Sequence, residues 1–481
     1  MIFRKRRDRH SECGRRDPSS PHQGNAANLR DSIWSRRSVL ERAVRFTIGA
    51  SVLPTVWRDV GFDGTAIAVE PPMAAGRTDR KLSPPAPVAL VGGTVHPIAG
   101  PSLPETTLVM ADGRIAAIGK RPELPAGARI LDVTGRHLYP GLFDASTNLG
   151  LSEIGSLPET IDETEIGEIN PHVRAIAAFN TASRSIPLAR SSGVLFALSA
   201  PSGALLPGRS AIVRLDGETA ADMAVVPDAA LHVEWPSMRA EAEWLADRPI
   251  TAQVAGNARR LTVLKSAFEQ AEAYSRARRN VGSRHPFDPR WEALLPALEG
   301  RQPVMVQAEE LAEIRAAAAF FESRGLRMIL LGGYDAPRCA ALLRRREIAV
   351  IVAGTHRVPR RRSAPYDEAY TVPARLQEAA VKYCLSASES LGAARLGNLA
   401  AAAATASAYG LPAADALRAI TLSPAEILGV ADRLGSLAVG KEATLFVADG
   451  EPLRPETQVT AAFVRGREVV LDNPLSRRWR P

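Results

Sequence analysis

The stretch Tyr139-Pro-Gly-Leu-Phe-Asp-Ala-Ser-Thr-Asn-Leu-Gly150 decides how the rest of the chain is read. Leu142 and Phe143 open a short apolar run after a Pro-Gly break, as a buried strand does when it leaves a turn. Three polar residues then recur at every second position: Asp144, Ser146 and Asn148. Side chains two apart on a strand point the same way, so these three share one face.

Working outward, the residues before this strand alternate between short strands and turn signals. V-A-L-V-G-G-T-V, then T-L-V-M-A-D-G-R-I-A-A-I-G-K, predicts strand, Asp112-Gly113 hairpin turn and strand. A-R-I-L-D-V (Ala128–Val133) adds another. The residues after it behave differently. Continuous apolar runs appear at Gly193–Ala200, Pro303–Glu309, Leu326–Gly333, Ile348–Gly354 and Val381–Ala387. The segment between the second and third of these, E-E-L-A-E-I-R-A-A-A-A-F-F-E-S-R-G, reads as an amphipathic helix closed by Gly325. Apolar strands alternating with helices predict a parallel sheet covered on both faces. Strand-and-turn chemistry returns at Gly435–Glu451 and Thr460–Val470, mirroring the strands before Tyr139. Both ends therefore build one small β domain, with the βα body inserted between them.

The N-terminal segment is of another kind. Between Met1 and Ala68 there are 13 Lys/Arg against 7 Asp/Glu, so the leader carries most of the formal charge of +8. The remainder is close to neutral, which argues against a nucleic-acid-binding surface. S-R-R-S-V-L-E (Ser35–Glu41), the apolar Phe46–Trp57 and Ala66-Ile67-Ala68 follow in the order basic, apolar, small-x-small. That order resembles a twin-arginine export signal and implies export to the periplasm, with a cytoplasmic protein carrying a basic tail as the alternative. Pro71–Pro87 reads as a Pro/Ala-rich linker. With 46% hydrophobic residues but no run of eighteen, the chain can bury a large core and is not a polytopic membrane protein. Cys13, Cys339 and Cys384 form neither a disulfide framework nor a zinc spacing.

The ordered set L-V-G-G-T-V, A-D-G-R-I-A-A-I-G, Y-P-G-L-F-D, T-L-S-P-A-E-I-L-G-V and R-L-G-S-L-A-V-G-K-E-A-T-L-F-V-A-D-G resembles the amidohydrolase superfamily, in particular its exported, imidazolonepropionase-like members. The resemblance implies an α/β fold: a (β/α)8 TIM-like barrel inserted in a split β-sandwich. The expected plan is leader 1–68, linker 69–87, sandwich 88–139, barrel 140–429 and sandwich 430–475.

It also implies hydrolysis of C–N bonds by one or two divalent metals such as zinc, held at the C-terminal ends of the barrel strands. Carried over by position, Asp144 keeps the family's Asp, but Ser146 and Asn148 stand where a His-x-His pair belongs. A hydroxyl and an amide are poor zinc ligands. Gln307 stands where the fifth strand has its His, with Glu309 beside it, and the sixth strand ends Gly332-Gly333-Tyr334. His232 lies near the position of the bridging lysine. Glu389, within S-A-S-E-S, is the ionisable candidate for the general base, and His356 is the barrel histidine placed nearest the site. No metal is expected at Ser146, Asn148 and Gln307, and no cofactor is assigned. The loop R-V-P-R-R-R-S-A-P-Y-D (Arg357–Asp367) reads as a solvated surface loop, with anion recognition as the alternative. Two functions stay open: a C–N hydrolase with its metal site lost or rebuilt, and an exported ligand-binding homologue or partner of an active paralogue. A small-molecule ligand and a homo-oligomer are compatible with both.

Overall fold

The structure, a computed structural model, describes residues 86–241, 248–279, 286–387 and 393–473. The expected leader, most of the linker and Glu389 lie outside these residues.

The first sheet collects strands from both ends of the chain. β1 (Val88–Val95), β2 (Leu103–Ala111), β3 (Arg114–Gly119), β4 (Arg129–Asp132) and β5 (His137–Pro140) come before the barrel. β14 (Leu445–Ala448), β15 (Val459–Val464) and β16 (Arg467–Glu468) come after it. Their order is β16-β15-β14-β5-β1-β2-β3, with β4 on β1. The β2–β3 hairpin turns on Asp112 and Gly113, both at positive φ (53° and 76°), the backbone an Asp-Gly type I′ turn requires. β5 pairs with both β1 and β14, so the strand that leads into the barrel also joins the two ends of the chain.

The second sheet is a nearly closed barrel. Its strands are β6 (Leu142–Thr147), β7 (Val194–Ser199), β8 (Gly208–Arg214), β9 (Ala224–Glu234), β10 (Val304–Ala308), β11 (Met328–Gly332), β12 (Ala349–Ala353) and β13 (Tyr383–Ser386), in sequence order. Every neighbour pairs in parallel except β8, which runs antiparallel to β7 and β9. A parallel connection needs a crossover of about a dozen residues. The segment 200–207 is shorter than that, so the chain turns straight back as a hairpin. The (β/α)8 expectation therefore holds with one strand reversed.

The helix expected between β10 and β11 spans Leu311–Glu322, and Gly325 follows it at φ +66°. Its Phe320 and Phe321 pack edge-on against Phe268 and Trp235, tying the long helix Ile250–Arg279 to the outside of the barrel. No helix among the described residues is long and apolar enough to cross a membrane.

Candidate active site at the barrel mouth

The barrel closes through side chains. β6 and β13 meet where Ser386 Oγ donates to the Ser146 carbonyl (2.8 Å) and where Ala387 N–H donates to Asp144 Oδ2 (3.1 Å). Asp144 Oδ1 accepts from Ser146 N–H at 3.0 Å. The Asp144 carboxyl is fully buried. Burial pushes its pKa up to about 6, against the lowering effect of the Ser146, Ser386 and Ala387 hydrogen bonds. The carboxylate clasps the seam between the first and last strands.

Just past β6, buried Asn148 donates from Nδ2 to Glu163 Oε2. His232 sits on β9, opposite Met305 of β10, and is almost fully buried. Its Nε2 has no hydrogen-bond partner, and burial lowers its pKa to about 4, so the ring is neutral near pH 7. Gln307 pairs in register with Glu234 and is exposed although Val306 and Ala308 on either side of it are buried. Glu234 accepts from Gly203 N–H at 2.5 Å, and burial raises its pKa.

Glu309, one step past β10, has a partner that the sequence did not suggest. Arg357, in the loop after β12, reaches it with both terminal nitrogens: Nη1 to Oε2 at 3.1 Å and Nη2 to Oε1 at 3.0 Å. Arg357 is 7% exposed, and Tyr334 N–H also donates to Glu309 Oε2 (3.0 Å). The carboxylate fits because residue 332 is glycine. A Cβ there would lie 2.8 Å from Glu309 Cδ, and the backbone stands at φ +98°. Farther along the same loop, Arg361 binds Asp335 (2.8 and 3.0 Å) and Glu368 (2.8 Å), while Tyr334 OH donates to Glu368 at 2.7 Å.

The solvated-loop reading of Arg357–Asp367 is thus corrected at two positions. Arg357 and Arg361 are drawn in by the partly buried Glu309 and the buried Asp335, past the ends of β10 and β11, because a desolvated carboxylate is stabilised by a bidentate cation. No spacing within the loop announces those partners.

His356 lies elsewhere. It is exposed, and its Nε2 shares a 2.7 Å hydrogen bond with Thr405 on the helix Leu399–Ala408. Asp144, Ser146 and Asn148 are all buried at the C-terminal end of β6, where a bulge between Asp144 and Thr147 interrupts the regular two-residue alternation. Glu389 lies outside the described residues.

The resemblance implies a divalent metal here, and the described side chains as placed do not offer its donor set. Both Asp144 oxygens accept backbone N–H groups, Glu309 is neutralised by Arg357, and Ser146, Asn148 and Gln307 are neutral. Among the described residues no three of His, Cys, Asp and Glu gather to hold an ion. The mouth instead holds a carboxylate–guanidinium pair. Beside it, a cavity of about 380 Å³ is rimmed by Arg239, Arg315, Arg338 and Arg361 with Glu310 and Asp335. A second cavity, about 730 Å³, opens at the opposite, N-terminal ends of β11 to β13, between Arg327, Glu347 and Lys382. It is remote from this chemistry.

A split β-sheet from both chain ends carrying an inserted barrel, with a polar mouth at the strands' C-terminal ends, is the architecture of metal-dependent hydrolase barrels and their relatives. Residues 327–471 match the Amidohydrolase family model. The curated protein Amidohydrolase tasK of Hapsidospora irregularis is 26% identical over 399 residues, covering 74% of this chain; the chain spans 39% of that protein's length. Among solved structures, an amidohydrolase from Thermotoga maritima MSB8 superposes with a TM-score of 0.70 at 24% identity, over 80% of this chain and 99% of that one. Molinate hydrolase superposes at 0.50 with 19% identity, over 80% and 95% of the two chains. The chain is thus similar to amidohydrolases in sequence over residues 327–471 and in fold over the split sheet and barrel.

Proposed function

We propose that the protein is a hydrolase of amidohydrolase type that takes a small C–N-bonded molecule, a cyclic amide, imide or dipeptide-like compound, at the C-terminal mouth of its barrel without the family's metal centre. The hydrolase class rests on the family match over residues 327–471. The absence of a metal from the proposal rests on one observation: Glu309 is held by Arg357 at 3.0 Å, so the mouth already carries its own counter-cation.

A second reading, an exported ligand-binding homologue or partner of an active paralogue, is favoured by the commitment of Asp144 to two backbone N–H groups. Elemental analysis of untagged protein, combined with a panel of cyclic amides, imides and dipeptides, separates these readings. The expected result is substoichiometric metal, with turnover that Glu389→Gln abolishes. Stoichiometric zinc would sink the metal-free assignment. Calorimetric binding without turnover would select the second reading.

We further propose that the chain is exported, on the strength of the basic, apolar, small-x-small order of residues 1–68. Replacing Arg36 and Arg37 together by lysine is expected to hold the full-length protein in the cytoplasmic fraction. Unchanged fractionation would refute export by this route.

A further inference from the structure

The first sheet carries a second group of chemically capable side chains, away from the barrel mouth. Ser102 Oγ lies 2.8 Å from His96 Nδ1, and His96 Nε2 lies 3.0 Å from His137 Nδ1. The three residues come from the end of β1, the turn before β2 and the start of β5. We propose that Ser102 is an activated nucleophile toward activated esters and related acyl donors, with His96 as its base and His137 as the residue that positions that base.

Several features support this assignment beyond the two distances. One tautomer satisfies both contacts: with its proton on Nε2, His96 donates to His137 Nδ1 and leaves Nδ1 to accept the Ser102 hydroxyl. Nucleophile, base and orienting group in mutual hydrogen-bond reach form the general pattern of an activated serine. The imidazole of His96 is also gripped. It stacks on Tyr139 at 4.2 Å and 7° between planes, and Tyr139 stacks on Phe446.

The turn that returns Ser102 to His96 contains Ile98 at φ +69°. A β-branched residue there is a true outlier, and such strain persists only where the surroundings enforce it. Ser102 itself is exposed, so an ester can reach it. Burial and the adjacent His137 hold His96 down at about 4, which keeps it unprotonated near neutrality but makes it a weak base. The expected acceleration therefore lies at the low end of what general-base catalysis supplies, about 100-fold.

The step balances within the group. Oγ attacks the acyl carbon as its proton passes to His96 Nδ1. The bond to the leaving alcohol breaks, and the alcohol departs with that proton. Water then cleaves the Ser102 ester, giving its proton to the same nitrogen and regenerating the hydroxyl.

The test is labelling of the full-length chain with a fluorophosphonate, in which the Oγ–P bond forms and the P–F bond breaks. Adducts are read peptide by peptide by mass spectrometry. Ser102 is expected to label about 100-fold faster than the exposed Ser156 and Ser237, and to fall to their rate in His96→Gln. His137→Asn, which keeps an acceptor, should hold most of the rate that His137→Leu loses, with equal melting temperatures for both variants. Wild-type labelling of Ser102 no faster than that of Ser156 overturns the proposal without reference to any variant. Undiminished labelling in folded His96→Gln overturns it as well.

Discussion

Arg357→Met is expected to destabilise the protein by about 3–5 kcal/mol, the usual cost of removing one partner from a buried ion pair. Arg357 is 7% exposed, and both of its terminal nitrogens meet Glu309. With the guanidinium gone, the partly buried Glu309 carboxylate keeps the Tyr334 N–H as a donor but loses its counter-charge. Methionine fills much of the arginine stem's volume, so the loss reports the charge rather than a cavity. The control is the double variant Arg357→Met with Glu309→Gln. Removing both charges from a buried pair is often nearly neutral, so the double variant should recover most of the loss. Urea unfolding of the four proteins measures the cycle. A single variant within about 0.5 kcal/mol of wild type, the range of an ordinary surface substitution, would show that the pair is solvated.

The second expected result concerns Asp144 and pH. Its pKa rises from the usual carboxyl value of 3.8 to about 6, because burial outweighs the hydrogen bonds it receives. Between about pH 4 and 6 the folded chain therefore holds a proton that the unfolded chain has lost. Stability then falls as pH rises through this window. Below it both states are protonated and Asp144 costs nothing. Above it both are ionised and the full penalty applies, on the order of 3 kcal/mol for a shift of roughly two units. Many other carboxylates titrate nearby, so the readout is a difference. Asp144→Asn should gain stability relative to wild type between pH 4 and 6.5 by about that amount, whatever its offset at the acid end. Parallel stability curves would mean that the carboxyl is not desolvated. The protein retains this costly group because one carboxylate satisfies the Ser146 and Ala387 N–H groups on both sides of the barrel seam.

These two residues show where reading the sequence worked and where it stopped. Asp144 was legible as a polar member of a buried strand, whereas the bulge that follows it, between Asp144 and Thr147, was not. That Asp144 ties β6 to β13 was not legible either, since its partner Ala387 lies 243 residues away. Arg357 stood in a run of arginines that reads as solvated. Its burial follows from Glu309, 48 residues earlier, and from Gly332, whose missing Cβ leaves the carboxylate room. His96 and His137 were assigned to the β domain, and nothing in their spacing of 41 residues brings Ser102 beside them.

By itself the sequence determined the alternation of apolar strands with helices, the Asp112-Gly113 hairpin, the sharing of one sheet by both chain ends, and the absence of histidines from the first barrel strand. Each is written in spacings of two to four residues or in the backbone demands of one turn, and such signals survive without knowledge of what packs where. Tertiary structure decided the reversed β8, the clasp of Asp144, the capture of Arg357 and Arg361, and the Ser102–His96–His137 chain. Their energies come from desolvation and from partners tens to hundreds of residues apart, and only the closed fold fixes those.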